Sequence, residues 1–165
     1  VDPKGQDFRR YRHADLLKPN AAELRAVAGD WRDERELQRK CASLRKRLAV
    51  GALLVTRGEE GLSLFGADGA RHHRAEAREV FDVCGAGDTV IATLARFLAA
   101  GCPLDECARW ANRAAGIAVS RFGTTAVTLA ELGLADVPAV PVVDGRAPVE
   151  RPRRLPAIGH AEYAQ

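Results

Sequence analysis

Methionine is missing from all 165 residues, and aromatic side chains make up only 5% of them. The aromatic shortage excludes a base-stacking platform of the kind single-stranded nucleic acids require. No apolar run reaches the length of a membrane-spanning helix, and the opening residues lack the pattern of a secretory signal. Four cysteines, Cys41, Cys84, Cys102 and Cys107, form no C-x-x-C pair, and only His72 and His73 among the histidines lie close together. That spacing excludes a metal cage and leaves free thiols in a reducing cytoplasm as the expectation. Lysine is scarce too: Lys4, Lys18, Lys40 and Lys46 stand among 25 basic residues, so the net charge of +3 rests on arginines scattered among acids. Charge scattered in this way is a solvated surface and not the concentrated footprint of a nucleic-acid or membrane partner.

What is present is ordinary for a globular chain: 47% apolar and 28% charged residues, with enough length for one domain that buries roughly 70% of its unfolded surface. The opening "VDPKG" reads as the end of a strand already under way, so the chain is expected to be a piece lacking an amino-terminal part. A short apolar run, Asp15 to Leu17, stops at "KPN", where Asn20 can cap the helix "AAELRAVA" that Gly29 closes. Leu37, Cys41, Leu44 and Leu48 recur at helical spacing between Asp33 and Leu48. "ALLVT" is a continuous apolar strand suited to a parallel sheet, "LSLF" an antiparallel return after "RGEEG", and "EVFDV" a further short strand. Two helices follow, Thr89 to Ala100 and Pro103 to about Val119. From Gly133 the sequence is proline-rich and without period, a linker or disordered tail through Gln165. Strands alternating with helices predict an α/β layered fold.

Four stretches can carry chemistry. In "DVCGAGDTV" the glycines allow a sharp turn at a helix start, which is either a capped turn or a cradle for a phosphate. Asp88 beside such an anion site is repelled unless it has a task, and taking a proton from an attacking hydroxyl is one. Asn20 and Glu23 have the spacing of a capping box, or of residues that organise the water shell of Mg²⁺. "VTRGEEG" is a hairpin, or a strand end whose Thr56 and Gly58 border a nucleotide. Lys4 in "DPKG" is a surface lysine or a phosphate partner.

Their order along the chain, D-P-K, N-x-x-E, T-R-G-x-x-G and then D-x-x-G-A-G-D, resembles the ribokinase (PfkB-type) family of carbohydrate kinases. "DVCGAGDTVIATLA" is similar to that family's C-terminal signature. Within the family, "VDPKGQDFRRYRHADLLKPN" and "ALLVTRGEEGL" are similar to the D-glycero-β-D-manno-heptose-7-phosphate kinases, over residues 1–132. The resemblance implies a ribokinase-like layered sheet with flanking helices, of which this chain is the C-terminal, nucleotide-binding half. It implies ATP and Mg²⁺ as cofactors and a sugar phosphate as substrate, with neither nucleic acid nor membrane as partner. The reaction implied is transfer to an anomeric hydroxyl, giving heptose 1,7-bisphosphate, a precursor of the ADP-heptose of lipopolysaccharide cores. Asp88 would be the base, and Gly85, Ala86 and Gly87 the anion hole. Asn20 and Glu23 would serve Mg²⁺ through water, with Lys4, Thr56, Gly58 and Asn112 near the nucleotide. Cytoplasmic location follows, and a homodimer of the full-length form is left open.

The sequence departs from the family at Cys84, where threonine is common, and at Thr93, where a smaller residue is usual. Ala157 stands where an H-x-G-H nucleotidyltransferase motif needs histidine, so adenylyl transfer is not expected. The residues that contact the sugar in this family belong to the part not represented here, which leaves sugar specificity unread. Another ribokinase-type sugar kinase and a non-catalytic ATP-binding remnant are the alternatives.

Overall fold

The computed structural model describes residues 1–76 and 79–134. A 3-10 turn (Phe8–Tyr11) leads to β1 (Leu16–Leu17), then α1 (Ala21–Ala28), α2 (Glu34–Leu48) and β2 (Ala52–Thr56). After a second 3-10 turn (Gly58–Glu60) come β3 (Leu62–Gly66), β4 (Gly69–His73), α3 (Ala86–Ala99) and α4 (Leu104–Val119). The strands form one sheet in the order β1-β2-β3-β4, parallel between β1 and β2 and antiparallel beyond. The backbone of Val1 runs beside β1, its N-terminal ammonium donating to Leu16 O at 2.8 Å and its carbonyl accepting from Lys18 N–H at 2.9 Å. The opening stretch, expected to end a strand, lies beside β1 through these two bonds but forms no strand itself.

The sheet is the middle of three layers. Along a strand, successive side chains point to opposite faces, and β2 has apolar residues on both. Ala52 and Leu54 join Leu62, Leu64, Val90, Leu94, Phe97 and the alanine-lined face of α4. Leu53 and Val55 pack with Leu24, Leu37, Cys41, Leu44, Leu48 and Phe8 on the other side. The helical spacing read between Asp33 and Leu48 is the stripe that does this, since all four of its apolar residues are buried. Leu53 is wholly enclosed. Leu53→Ala should therefore lower the unfolding free energy by about 2–5 kcal/mol, measured by urea denaturation; a loss below about 1 kcal/mol would place it outside the packed layer.

Caps follow the sequence closely. Asn20 and Asp33 accept from the N–H groups of Glu23 and Glu36, and Gly29 ends α1 with φ +74°. Two expectations change, and one strand is added. "EVFDV" is not a strand: the N–H groups of Phe81 and Asp82 both go to Val119 O at the end of α4, no strand pairs with the segment among the described residues, and Val80, Phe81 and Val83 are exposed. Strand propensity is a fit to a pleated, half-buried surface, and without a paired neighbour it has nothing to act on. The helix expected from Thr89 starts at Ala86, which puts Asp88 inside its first turn. β4, "GARHH", was not legible because its residues are polar and largely exposed. Packing continues to Leu132 and Leu134; beyond Leu134 the expected tail lies outside the described residues.

Candidate active site

The amino end of α3 is built by glycine. Gly85 holds φ +76° and ψ −1°, and a Cβ there would fall 2.9 Å from Thr124 Cγ2, so both conformation and space demand its absence. Ala86 N–H donates to Val83 O and Thr89 N–H to Gly85 O. The N–H groups of Gly87 and Asp88 lie in the first turn, where the helix provides no acceptor and its dipole is positive. Asp82 fixes the turn from below: its carboxylate accepts from Cys84 N–H at 2.8 Å and from Gly123 N–H at 3.0 Å. Asp88 is exposed at the third helical position, beside the exposed Gly87.

The parallel strands deliver the second half of the site. β1 and β2 run the same way and end on the same side, where Thr56 N–H donates to Pro19 O and Thr56 bridges Asn20. Ligands of open α/β sheets gather at such carboxyl ends. Between β1 and Asn20 stands Lys18, only 3% exposed. Its ammonium lies 2.9 Å from Asp2 Oδ1, and a Cβ placed on Gly87 would be 3.6 Å from it. A cation is thus aimed at the α3 amino end, whose own polarity also favours an anion. Burial works against ionisation of Asp2, but hydrogen bonds from Lys18 and Lys4 outweigh it and hold its carboxyl below the usual range.

Lys4 is mostly exposed, 3.1 Å from Asp2 and 3.5 Å from Glu23. Asn20 and Glu23 form the reciprocal capping box, at 2.8 Å in both directions. The structural role expected of that pair is therefore real, and it does not consume the pair. Glu23 Oε1 keeps only its long contact to Lys4, so Asp2 and Glu23 converge on one monovalent cation. Among the described residues no group of three or more His, Cys, Asp or Glu could hold a metal ion. Two neighbouring carboxylates, Asp2 and Glu23, are the oxygen donors at this end of the sheet, a number that Mg²⁺ with most of its waters kept can use.

Gly58 has φ +61° with open space where a Cβ would be. Asn112 is buried, and its amide donates to Arg74 O at 2.6 Å, so it pins the end of β4. One turn further along α4 a cavity of about 640 Å³ opens between Arg113, Gly116, Ile117 and Ser120 and the segment bearing Glu76, Glu79 and Phe81. This volume lies within the usual range for small-molecule sites. Glu131 on its rim is held down to about 2 by the Thr128 N–H, the Arg121 guanidinium and the Thr128 hydroxyl. The cavity lining mixes Glu76, Glu79 and the Arg121-paired Glu131 with Arg113, and a buried ammonium lies at Lys18, near the start of α3. Lys18, Asp2 and Asp82 were not singled out from sequence. Asp82 had a signal, the aspartate that bonds the N–H two residues on in a turn; a lysine before proline has none.

A glycine-built helix start facing a buried ammonium, at the carboxyl ends of parallel strands, defines an α/β protein with a site suited to an anion. The chain belongs to the pfkB family of carbohydrate kinases, whose model matches residues 1–131. It is 52% identical over 132 residues to the D-beta-D-heptose 7-phosphate kinase of Bordetella bronchiseptica, which covers 80% of this chain and 42% of that protein. It is 48% identical over 165 residues to the bifunctional protein HldE of Halorhodospira halophila, covering 99% of this chain and 35% of that one. The chain therefore spans less than half the length of these curated relatives. Arabidopsis thaliana ribokinase, solved with ribose and ATP, superposes with a TM-score of 0.61 at 32% identity, over 67% of this chain and 36% of that one.

Proposed function

We propose that this chain is the nucleotide-binding half of an ATP-dependent kinase that phosphorylates D-glycero-β-D-manno-heptose 7-phosphate at its anomeric hydroxyl. The observation that carries this reading is the buried Lys18 ammonium set against Gly87, next to Asp88. The similarity to a protein named heptose 7-phosphate kinase supplies the sugar.

The chemistry needs three things of these residues. Asp88 takes the proton of the anomeric hydroxyl, whose oxygen then bonds to the γ-phosphorus as the bond from that phosphorus to the β-bridging oxygen breaks and ADP leaves. Of the expected Gly85-Ala86-Gly87 anion hole, the Ala86 N–H is spent on Val83 O, so the Gly85 and Gly87 N–H groups and the Lys18 ammonium stabilise charge on the transferring group. The cavity along α4 has room for the base and ribose, with Thr56 and Gly58 at the strand ends bordering the nucleotide and Asn112 holding the neighbouring segment. Asn20 and Glu23, with Asp2 beside them, would hold Mg²⁺ through its waters, and Lys4 would lie near the phosphates; when bound, the ion neutralises phosphate charge. Cys41, Cys84, Cys102 and Cys107 are all free, in keeping with a cytoplasmic setting, and no helix among the described residues is long and apolar enough to cross a membrane.

The test is ATP consumption by this chain joined to the amino-terminal part of the Bordetella relative. Turnover with heptose 7-phosphate, and not with ribose or fructose, is expected. The amino-terminal part brings the sugar contacts, so turnover reports whether this half can transfer the phosphoryl group to the heptose, and nucleotide binding without any turnover makes the chain a binding remnant.

A further inference from the structure

Ser63 is a polar residue buried at 2% exposure on the face of β3 that packs against α2. Its hydroxyl has two partners, the Arg57 guanidinium at 3.1 Å and His72 Nδ1 at 2.9 Å. Arg57 is the centre of the group: its side chain is 8% exposed, while Glu34 and Glu60, both bonded to its Nη2, are more than half exposed. A cation has been drawn inward and two carboxylates reach in to it. Glu34 opens α2, Glu60 belongs to the 3-10 turn after β2, and Ser63 lies in β3. Arg57 N–H also donates to Gly61 O at 2.8 Å, which closes the turn.

The turn is in turn pressed against the next segment. A Cβ on Gly61 would come 2.1 Å from His73 O and 2.6 Å from Ala75 N. The same segment is gripped from the other side by the Asn112 amide on Arg74 O, and Glu76 just beyond it lines the cavity. A continuous packed route therefore runs from Glu34 on α2 through Arg57 and the Thr56–Gly61 turn to the cavity wall. We propose that Arg57 is a positioning residue that sets where the nucleotide-bordering turn and the segment after β4 lie, acting through Glu34, Glu60 and Ser63 and touching no ligand itself. This inference rests on the reading of Thr56 and Gly58 as nucleotide neighbours.

The experiment compares the chain with its Arg57→Leu, Arg57→Lys and Glu34→Gln variants by titration calorimetry with Mg-ATP and by amide hydrogen exchange. Loss of a contact from such a network should weaken Mg-ATP binding by about tenfold in Arg57→Leu and about threefold in Glu34→Gln, with Arg57→Lys between them. Glu34 is exposed and lies in the layer beyond the sheet, so an effect there cannot come from a lost ligand contact. Exchange should quicken at residues 57–62 and 73–76 and stay unchanged in α1 and α3. Affinity within twofold of the parent in both Arg57→Leu and Glu34→Gln overturns the inference, and so does faster exchange spread over the whole chain, the mark of general destabilisation. A parent chain that binds no Mg-ATP overturns the nucleotide reading instead, and the exchange pattern still decides whether Arg57 holds the turn.

Discussion

Asp88→Asn is expected to cut turnover by about 10²–10⁴-fold in the joined enzyme, the usual cost of removing a positioned base, with Mg-ATP affinity nearly unchanged. Asparagine keeps the size of the side chain and can still bond within the first helical turn. The carboxylate also sits at the positive end of α3, where it stabilises the helix by about 0.3–1 kcal/mol. Steady-state kinetics beside urea denaturation separates the two roles. If Asp88 only supports the helix, stability falls slightly and turnover persists, and it is then not the base. If it is the base, turnover collapses while the fold and nucleotide binding remain. Asp88 stands exposed in the first turn of α3, beside the N–H groups that would hold the phosphoryl group, and the lone carboxylate there is accounted for by the proton it would take.

Lys18→Met is expected to cost about 10²-fold in turnover, on the scale of losing one preorganised charge-stabilising group. Methionine preserves an unbranched stem of comparable length, so packing around the buried side chain is largely kept and the change isolates the ammonium. The substitution also strips Asp2 of its main stabilising partner. A carboxylate whose folded pKa is depressed contributes stability above its unfolded pKa and loses it as pH falls through the folded value. With Lys18 gone that contribution shrinks, burial pushes the Asp2 pKa upward, and acid unfolding should move to higher pH. Circular dichroism across an acid titration reads this directly. Full activity in Lys18→Met would remove the ammonium from the phosphoryl site and with it the observation on which the functional reading rests.

Local order was legible where neighbours along the chain settle it. Asn20, Asp33 and Gly29 mark helix ends by bonds made within three or four residues, and the Leu37-Cys41-Leu44-Leu48 stripe needs only a helix to exist. The glycine turn was legible for the same reason, though its helix begins at Ala86 and not at Thr89. "EVFDV" failed because a strand requires a partner that sequence cannot locate. Lys18 and Asp2, sixteen positions apart, became a pair only when Val1 lay down beside β1, and Gly87 meets Lys18 from a helix far along the chain. Asn112, expected near the nucleotide, turned out to spend its amide on Arg74 O, 38 residues away. What the sequence by itself determined is the set of elements, their caps and the family signature ending in Asp88, all products of short-range geometry. What only the tertiary structure decided is which charges meet: a buried ammonium facing a helix start, and a guanidinium clamped between α2 and β3. Those meetings join residues far apart in the chain, and burial, not proximity in sequence, determines how strongly their charges act.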